Sequence, residues 1–251
     1  MVRSLLVRGM LVGLAAALLA LVVAWIFGEP QVGRAIGFEE HQAALAGEPP
    51  EPELVSRSVQ KTLGLATGVG LYGIALGGVF ALAFAFAYGR IGSFGARATS
   101  ALVAFGGFIA VELAPFLKYP ANPPSVGNPD TIGKRTALYF GLILISVLFA
   151  IAAVLIGRRL APRFGNWNAA LTAAGVFIVL LGVAYLTMPA VQEVPKDFPA
   201  VVLWRFRLAS LGIQATLWAA LGLLFGPLAE RRLSHRRSNG THVMPAGTAL
   251  R

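Results

Sequence analysis

Six stretches of this chain are apolar for long enough to cross a bilayer: Leu5–Phe27, Thr62–Tyr88, Thr99–Phe116, Thr136–Ile156, Ala169–Met188 and Val202–Phe225. A membrane-spanning helix needs about 20 mostly apolar residues. The runs are apolar on all sides rather than at every second position, which removes an outer-membrane barrel from consideration. In hydrocarbon, backbone N–H and C=O groups must be paired within their own segment, so each run predicts a helix. The fold class is therefore all-α: a polytopic integral membrane bundle of six transmembrane helices over residues 1–233, with residues 234–251 read as a polar, disordered tail. The start of the chain also has the look of a secretory leader, with Arg3 and Arg8 followed by an apolar, Ala-rich sequence, but the run Leu5–Phe27 is long for one.

The segments between the spans are unequal. Gly28–Lys61 predicts a short surface helix around Val32–Ala46, then an extended acidic, proline-rich piece from Gly47 to Glu53. Lys118–Arg135 carries Pro120, Pro123, Pro124 and Pro129, and Pro189–Val201 carries Pro189, Pro195 and Pro199. Proline fixes φ, so these connections are stiff. The alternate links are short. Gly89–Ala98 and Gly157–Asn168 hold Arg90, Arg97, Arg158, Arg159 and Arg163 and no acid. By the positive-inside rule these links and both termini are cytoplasmic, and the proline-shaped loops face outward.

Composition agrees with this pattern: 57% of residues are hydrophobic and 13% charged, against roughly a quarter charged in soluble domains. The net charge of +10 is explained by topology rather than by nucleic-acid binding, and the Arg231–Arg237 stretch suits anionic lipid headgroups. Cysteine is absent, which excludes disulfides, thiolate metal sites and a thiol nucleophile. The chain lacks H-E-x-x-H, G-x-S-x-G and a dinucleotide fingerprint. Its closest approach to a phosphate-binding loop, Gly127 to Gly133-Lys134-Arg135, has the wrong spacing and an arginine where a hydroxyl is needed. These absences point away from an enzyme and from a permanently bound cofactor.

Several polar residues remain as candidates. Glu112 is a carboxylate within the third span, one or two turns below the outer surface, and intramembrane carboxylates are usually functional. It reads as a cation or proton site, or as a partner for Arg135. Arg207, Ser210, Gln214 and Trp218 share one face of the last span, lining a polar path or bonding neighbouring helices. Gly64, Gly68, Gly73 and Gly77 form G-x-x-x-G pairs in the second span, a pattern of close helix packing or of flexibility. Glu39, Glu40 and His41 offer an outer metal-attracting cluster or a solvated helix face. Asp130 is both a possible outer metal ligand and an expected N-cap for the fourth span.

The run Pro115-Phe116-Leu117-Lys118-Tyr119-Pro120-Ala121-Asn122-Pro123-Pro124, continued by Val126-Gly127-Asn128-Pro129-Asp130-Thr131-Ile132 and Arg135-Thr136, resembles CbtA, the family of probable cobalt transporter subunits. Phe27-Gly28-Glu29-Pro30, Ser56-Arg57-Ser58-Val59-Gln60, Tyr88-Gly89-Arg90 and the stretch from Phe206-Arg207-Leu208-Ala209-Ser210 to Trp218 carry the same resemblance. It implies a bacterial inner-membrane protein that imports cobalt in connection with cobalamin metabolism, with Co²⁺ as the transported ion and a small single-span, His-rich partner subunit. Lys118, Tyr119, Pro120, Asn122, Pro123 and Pro124 form its outer-loop motif. The expected function is a membrane subunit for divalent metal uptake, with an ion path from the acidic outer loop past Glu112 towards Gln214. The alternatives are a non-transporting membrane scaffold for a partner, and a transporter of a cobalamin precursor.

Overall fold

In the computed structural model, the described residues are 2–47, 49, 54–124 and 126–241, with side chains described to 233. They form helices and no strands. Helix α1 (Val2–Val23) runs through a π-helical turn (Ala24–Gly28) into α2 (Glu29–Ala46). A short α3 (Arg57–Val59) runs through a second π turn (Gln60–Gly64) into α4 (Leu65–Ala87). Next, α5 (Ala96–Gly107), a third π turn (Phe108–Leu113) and α6 (Ala114–Lys118) form one continuous run. A 3-10 turn (Pro129–Thr131) leads into α7 (Ile132–Thr187), and α8 spans Ala200–Thr241.

Five helical runs are long and apolar enough to cross a membrane, where the hydropathy pattern predicts six spans. The difference lies in α7, which contains the fourth and fifth apolar runs. As a straight helix its 56 residues would separate its ends by about 84 Å. Instead Thr131 and Arg135 at its start contact Glu193, just past its end. The reversal is at Gly165, whose φ of 76° and ψ of 161° are not helical; this is backbone that only glycine adopts readily. A Cβ on Gly157 would lie 3.2 Å from the Cβ of Ala173, so the two limbs of α7 run side by side.

Two of the three π turns have a common cause. Pro30 and Pro115 each lie two residues beyond the end of a π turn, at Gly28 and Leu113. A proline has no N–H for the carbonyl one turn back, and its ring crowds that carbonyl. Widening the turn before it relieves the clash. The first span therefore does not end at Phe27. Helix continues unbroken over Val2–Ala46, about 67 Å at 1.5 Å per residue, far beyond a hydrocarbon core of about 30 Å. The expected surface helix is thus a rigid extension of the first span, closed by Gly47 in the left-handed conformation (φ 72°). The second span likewise begins early, at Arg57. Most of the expected extended piece up to Glu53 lies outside the described residues. The expected disordered tail begins as helix, since the α8 backbone continues to Thr241; residues 242–251 lie outside the described residues.

The core is shared by α1, α4, α5 and α8. Leu5, Val12 and Ala16 meet Phe80 and Phe84, and Leu217, Leu221 and Phe225 pack against them. Phe225 makes edge-on contacts with Phe80 (5.5 Å) and Phe84 (5.1 Å). The α1–α4 contact is backbone on backbone. A Cβ on Gly13 would fall 2.0 Å from the Gly73 carbonyl oxygen, and one on Gly9 2.3 Å from that of Gly77, so only glycine fits. Gly73 and Gly77 thus pack as the small-residue motif predicts. Gly64 and Gly68 do not: a Cβ on Gly68 meets nothing, and one on Gly64 meets only the Val59 carbonyl of its own segment. The true partner motif is Gly9-x-x-x-Gly13 in α1, the most buried of the spanning helices at 39% of its apolar window. The α7 hairpin buries only 17% of its apolar window, so it lies at the outside of the bundle.

The two ends of the bundle differ. At one end, Arg8 donates to the Leu228 carbonyl (3.1 Å) and Arg97 pairs with Glu230 (2.7 Å), which puts the start of α1 and the end of α8 on one face. At the other, the proline end, Trp25 of the first π turn donates to the Lys61 carbonyl of the second (2.8 Å). There Glu29 pairs with Arg57 (2.5 Å), and α2 is held down by an edge-on Phe38–Phe198 contact (5.2 Å) and a Gln42–Asp197 hydrogen bond (3.1 Å).

Candidate functional site

The third π turn holds the most costly residue in the fold. Glu112 is 7% exposed, and its carboxylate oxygen accepts a hydrogen bond from the Tyr72 hydroxyl of α4 (3.1 Å). The local distortion explains its setting. Pro115 has no N–H to offer the carbonyls of Ala110 and Val111. The Ala110 carbonyl instead accepts from the Ser146 hydroxyl of α7, and the Ala114 carbonyl from the Tyr185 hydroxyl of the other α7 limb. At Ala110 a hydroxyl thus replaces a backbone donor inside the membrane, and both limbs of the hairpin are fastened at or just past the turn that carries Glu112.

The groups around Glu112 are incompletely satisfied. Gln214 stands beside the Tyr72 phenol with its Oε1 buried and without a hydrogen-bond partner. The indole N–H of Trp218 is near the carboxylate yet out of hydrogen-bond geometry with any protein acceptor. Tyr139 of α7 lies within electrostatic reach of Glu112. Buried polar atoms without partners are rare in folded proteins. Here two of them, Gln214 Oε1 and Trp218 Nε1, both from α8, gather near one carboxylate.

Tyr139 also lines a cleft of about 440 Å³ at the proline end, so this one side chain belongs both to the cleft wall and to the surroundings of Glu112. Its walls come from the loop after α6, the start of α7, the 188–199 connection and Arg207 of α8. The outer-loop motif builds this cleft. Lys118 donates to the Tyr185 carbonyl (2.7 Å), and the Tyr119 hydroxyl to that of Pro189 (2.7 Å). Pro120 and Asn122 line the cleft, while the Pro123 carbonyl closes a turn with the Val126 N–H (3.3 Å), Pro124 lying within it. Arg207 donates to the Ala121 carbonyl (3.2 Å) and to Asn122 Oδ1 (2.9 Å).

Glu193 locks the far side. It accepts from the Asn128 backbone N–H (2.9 Å) and the Thr131 hydroxyl (2.7 Å), and pairs with Arg135 at 3.3 Å. Those two hydrogen bonds, helped by the guanidinium, hold its carboxyl below the ordinary carboxylate range. Arg135 also donates to the Asn128 carbonyl (3.1 Å). Its partner is therefore Glu193, not Glu112 as the alternative reading of the sequence had it.

The remaining expected residues fall in different places. Gln214 and Trp218 join Glu112, and Arg207 serves the cleft. Ser210 donates to the Phe206 carbonyl of its own helix (2.9 Å). Asp130 is not the cap: Asn128 caps the 3-10 turn by accepting from the Asp130 N–H (2.9 Å). Glu39, Glu40 and His41 stand exposed on α2, Asp130 is exposed at the start of the 3-10 turn, and neither lies at the Glu112 cluster. Among the described residues no three His, Asp or Glu side chains gather closely enough to hold a metal ion. Tyr72, Tyr139 and Glu193 were not singled out in the sequence. Tyr72 and Tyr139 read as span aromatics, and Glu193 as one acid in a proline-bracketed loop.

The family described as Probable cobalt transporter subunit (CbtA) matches residues 2–230, nearly the whole chain. The chain belongs to this family. CbtA membership identifies it as a cobalt transporter subunit, with Co²⁺ as its cargo, and the apolar helices make it a membrane protein. No curated protein and no solved structure matches it.

Proposed function

We propose that this chain is the membrane subunit that conducts a divalent cation, Co²⁺, inward through its own bundle, with Glu112 as the intramembrane waypoint. The observation that carries the reading is the Glu112 cluster: a buried carboxylate beside an unpartnered amide oxygen and two phenols, one of which, Tyr139, also lines the surface cleft. The donors are oxygens and only one is charged. Such a set binds a transition-metal ion weakly, which suits passage, since an ion must be able to leave each site it enters. The chain acts as a transporter subunit rather than an enzyme.

In this reading six passes cross a bacterial inner membrane, with both termini cytoplasmic and the proline end outside. The arginines of the short links support that orientation, as does the pairing of Arg8 and Arg97 with the end of α8. A small single-span, His-rich subunit completes the transporter and supplies the nitrogen ligands for capture, because this chain has His41 alone before its C-terminal segment. Glu39, Glu40 and Asp130 contribute only long-range attraction at the entrance.

The test is radioactive cobalt uptake in cells stripped of their own importers, expressing this chain, the small partner, both or neither, with excess nickel as competitor. Uptake that requires this chain is the expected result. Membrane-inserted chain with no uptake in any combination would remove the proposal. Copurification with a partner, without any effect on flux, would make the chain a scaffold.

A further inference from the structure

The surface cleft has the wrong charge for a bare cation. Its ionisable lining groups are Arg135, Arg207, Glu193 and the Tyr119 and Tyr139 phenols. Glu193 is fully engaged by the Asn128 N–H, the Thr131 hydroxyl and Arg135, so no carboxylate is free to receive a metal. Arg207 makes no ion pair among the described residues. Its two hydrogen bonds go to neutral oxygens, the Ala121 carbonyl and the Asn122 amide, and three of its five N–H donors remain. The Nε of Arg135 is buried and lacks a hydrogen-bond partner, because its 3.3 Å approach to Glu193 is not aligned as a hydrogen bond. Lys134 adds a further positive charge near Glu193. Guanidinium donors left open in a cleft match a carboxylate, which they can hold through paired N–H···O bonds. About 440 Å³ is in the range of clefts that enclose a small organic molecule, and far more than one ion needs.

We propose that this cleft is a receptor site for a carboxylate-bearing chelator, so that the metal reaches the Glu112 cluster from an anionic complex rather than as the free ion. The inference rests on the reading of the chain as an uptake subunit. Arg207 supplies the uncompensated charge that the anion neutralises, and Phe116, Tyr119 and Phe140 supply the apolar wall. Neutralising Arg207 also removes the repulsion that a cation would otherwise meet at this cleft.

The experiment measures binding of citrate, cobalt(II)–citrate and cobalt(II) chloride to the purified full chain in lipid nanodiscs, by calorimetry. Saturable binding of citrate, free or cobalt-loaded, is expected, and the two arms separate recognition of the bare carboxylate from recognition of the complex. Arg207→Gln should weaken it at least tenfold, while Arg207→Lys keeps part of it. Because Arg207 also ties down the Asn122 loop, Thr136→Trp provides an independent check: it fills the cleft without touching that tie and should abolish binding. No saturable citrate binding, or binding indifferent to both Arg207→Gln and Thr136→Trp, overturns the inference. So does cobalt chloride binding that strengthens in Arg207→Gln, the signature of a bare-cation entrance. Cellular uptake separates the two proposals. Cobalt uptake that citrate neither helps nor competes with removes the chelator and leaves the uptake reading standing. Absence of any uptake alongside specific citrate binding removes the uptake reading and leaves the site.

Discussion

Replacing Glu112 by glutamine separates the charge of the intramembrane cluster from its shape. Glutamine has nearly the same volume and keeps an Oε1 that can accept from the Tyr72 hydroxyl, now 3.1 Å from the carboxylate. The packing of the third π turn is untouched, since Ser146 holds its Ala110 carbonyl and Tyr185 the Ala114 carbonyl just past it, both independently of the Glu112 side chain. What is lost is the ionic character of one interhelical hydrogen bond, and such bonds in membranes average about 0.6 kcal/mol. A change of that size lowers the melting temperature of a domain this large by roughly 1–3 °C, so the variant should reach the membrane in normal amount. Transport should respond quite differently, because the cluster would have lost its one formal negative charge. Radioactive cobalt uptake, normalised to membrane-inserted chain, should fall at least tenfold in Glu112→Gln, and Glu112→Asp should retain a measurable part of it. Uptake by Glu112→Gln within twofold of the unmodified chain, at normal protein level and melting temperature, would remove Glu112 from the ion path.

The α1–α4 contact predicts that Gly13→Ala, whose new methyl would lie 2.0 Å from the Gly73 carbonyl oxygen, costs about 1–3 kcal/mol. Gly68→Ala, which meets nothing within 4 Å, should cost nothing; melting in detergent compares the two. The α7 reversal predicts that cysteines at Gly157 and Ala173 form a disulfide under mild oxidant, since their Cβ atoms would lie 3.2 Å apart, near the usual disulfide range. A continuous helix would hold them about 24 Å apart and give no intramolecular product, and the absence of native cysteine makes the result easy to read. The lowered pKa of Glu193 means that folding favours its ionised form. The lock on Asn128, Thr131 and Arg135 is then at full strength above the ordinary carboxylate range and is lost as pH falls through the lowered value. Limited proteolysis of the 119–131 loop should speed up only in acid, and Glu193→Gln should cleave at the faster rate already at neutral pH; a rate in that variant equal to the unmodified chain at neutral pH would refute the lock.

Hydropathy by itself determined that this chain is an all-helical membrane protein and placed its apolar runs, because the hydrocarbon demand for self-paired backbone acts on each segment alone. It also picked out Glu112, since an acid within a span is costly wherever the neighbouring helices stand. The positions of two of the three π turns were implicit in Pro30 and Pro115, whose missing N–H groups act locally. What surrounds Glu112 was not legible, because the register of Tyr72, Tyr139, Gln214 and Trp218 against it depends on how the helices are rotated and staggered. The same holds for the glycines. Gly73 and Gly77 look no different in sequence from Gly64 and Gly68, and only the approach of Gly9 and Gly13 from α1 separates them. The lock of Glu193 on Asn128, Thr131 and Arg135 joins residues more than fifty positions apart. It required the reversal at Gly165, which returns the end of α7 to the side where it began. Tertiary structure decided these contacts because each is a distance between segments that lipid leaves free to slide, fixed in the end by close packing and by a few buried hydrogen bonds.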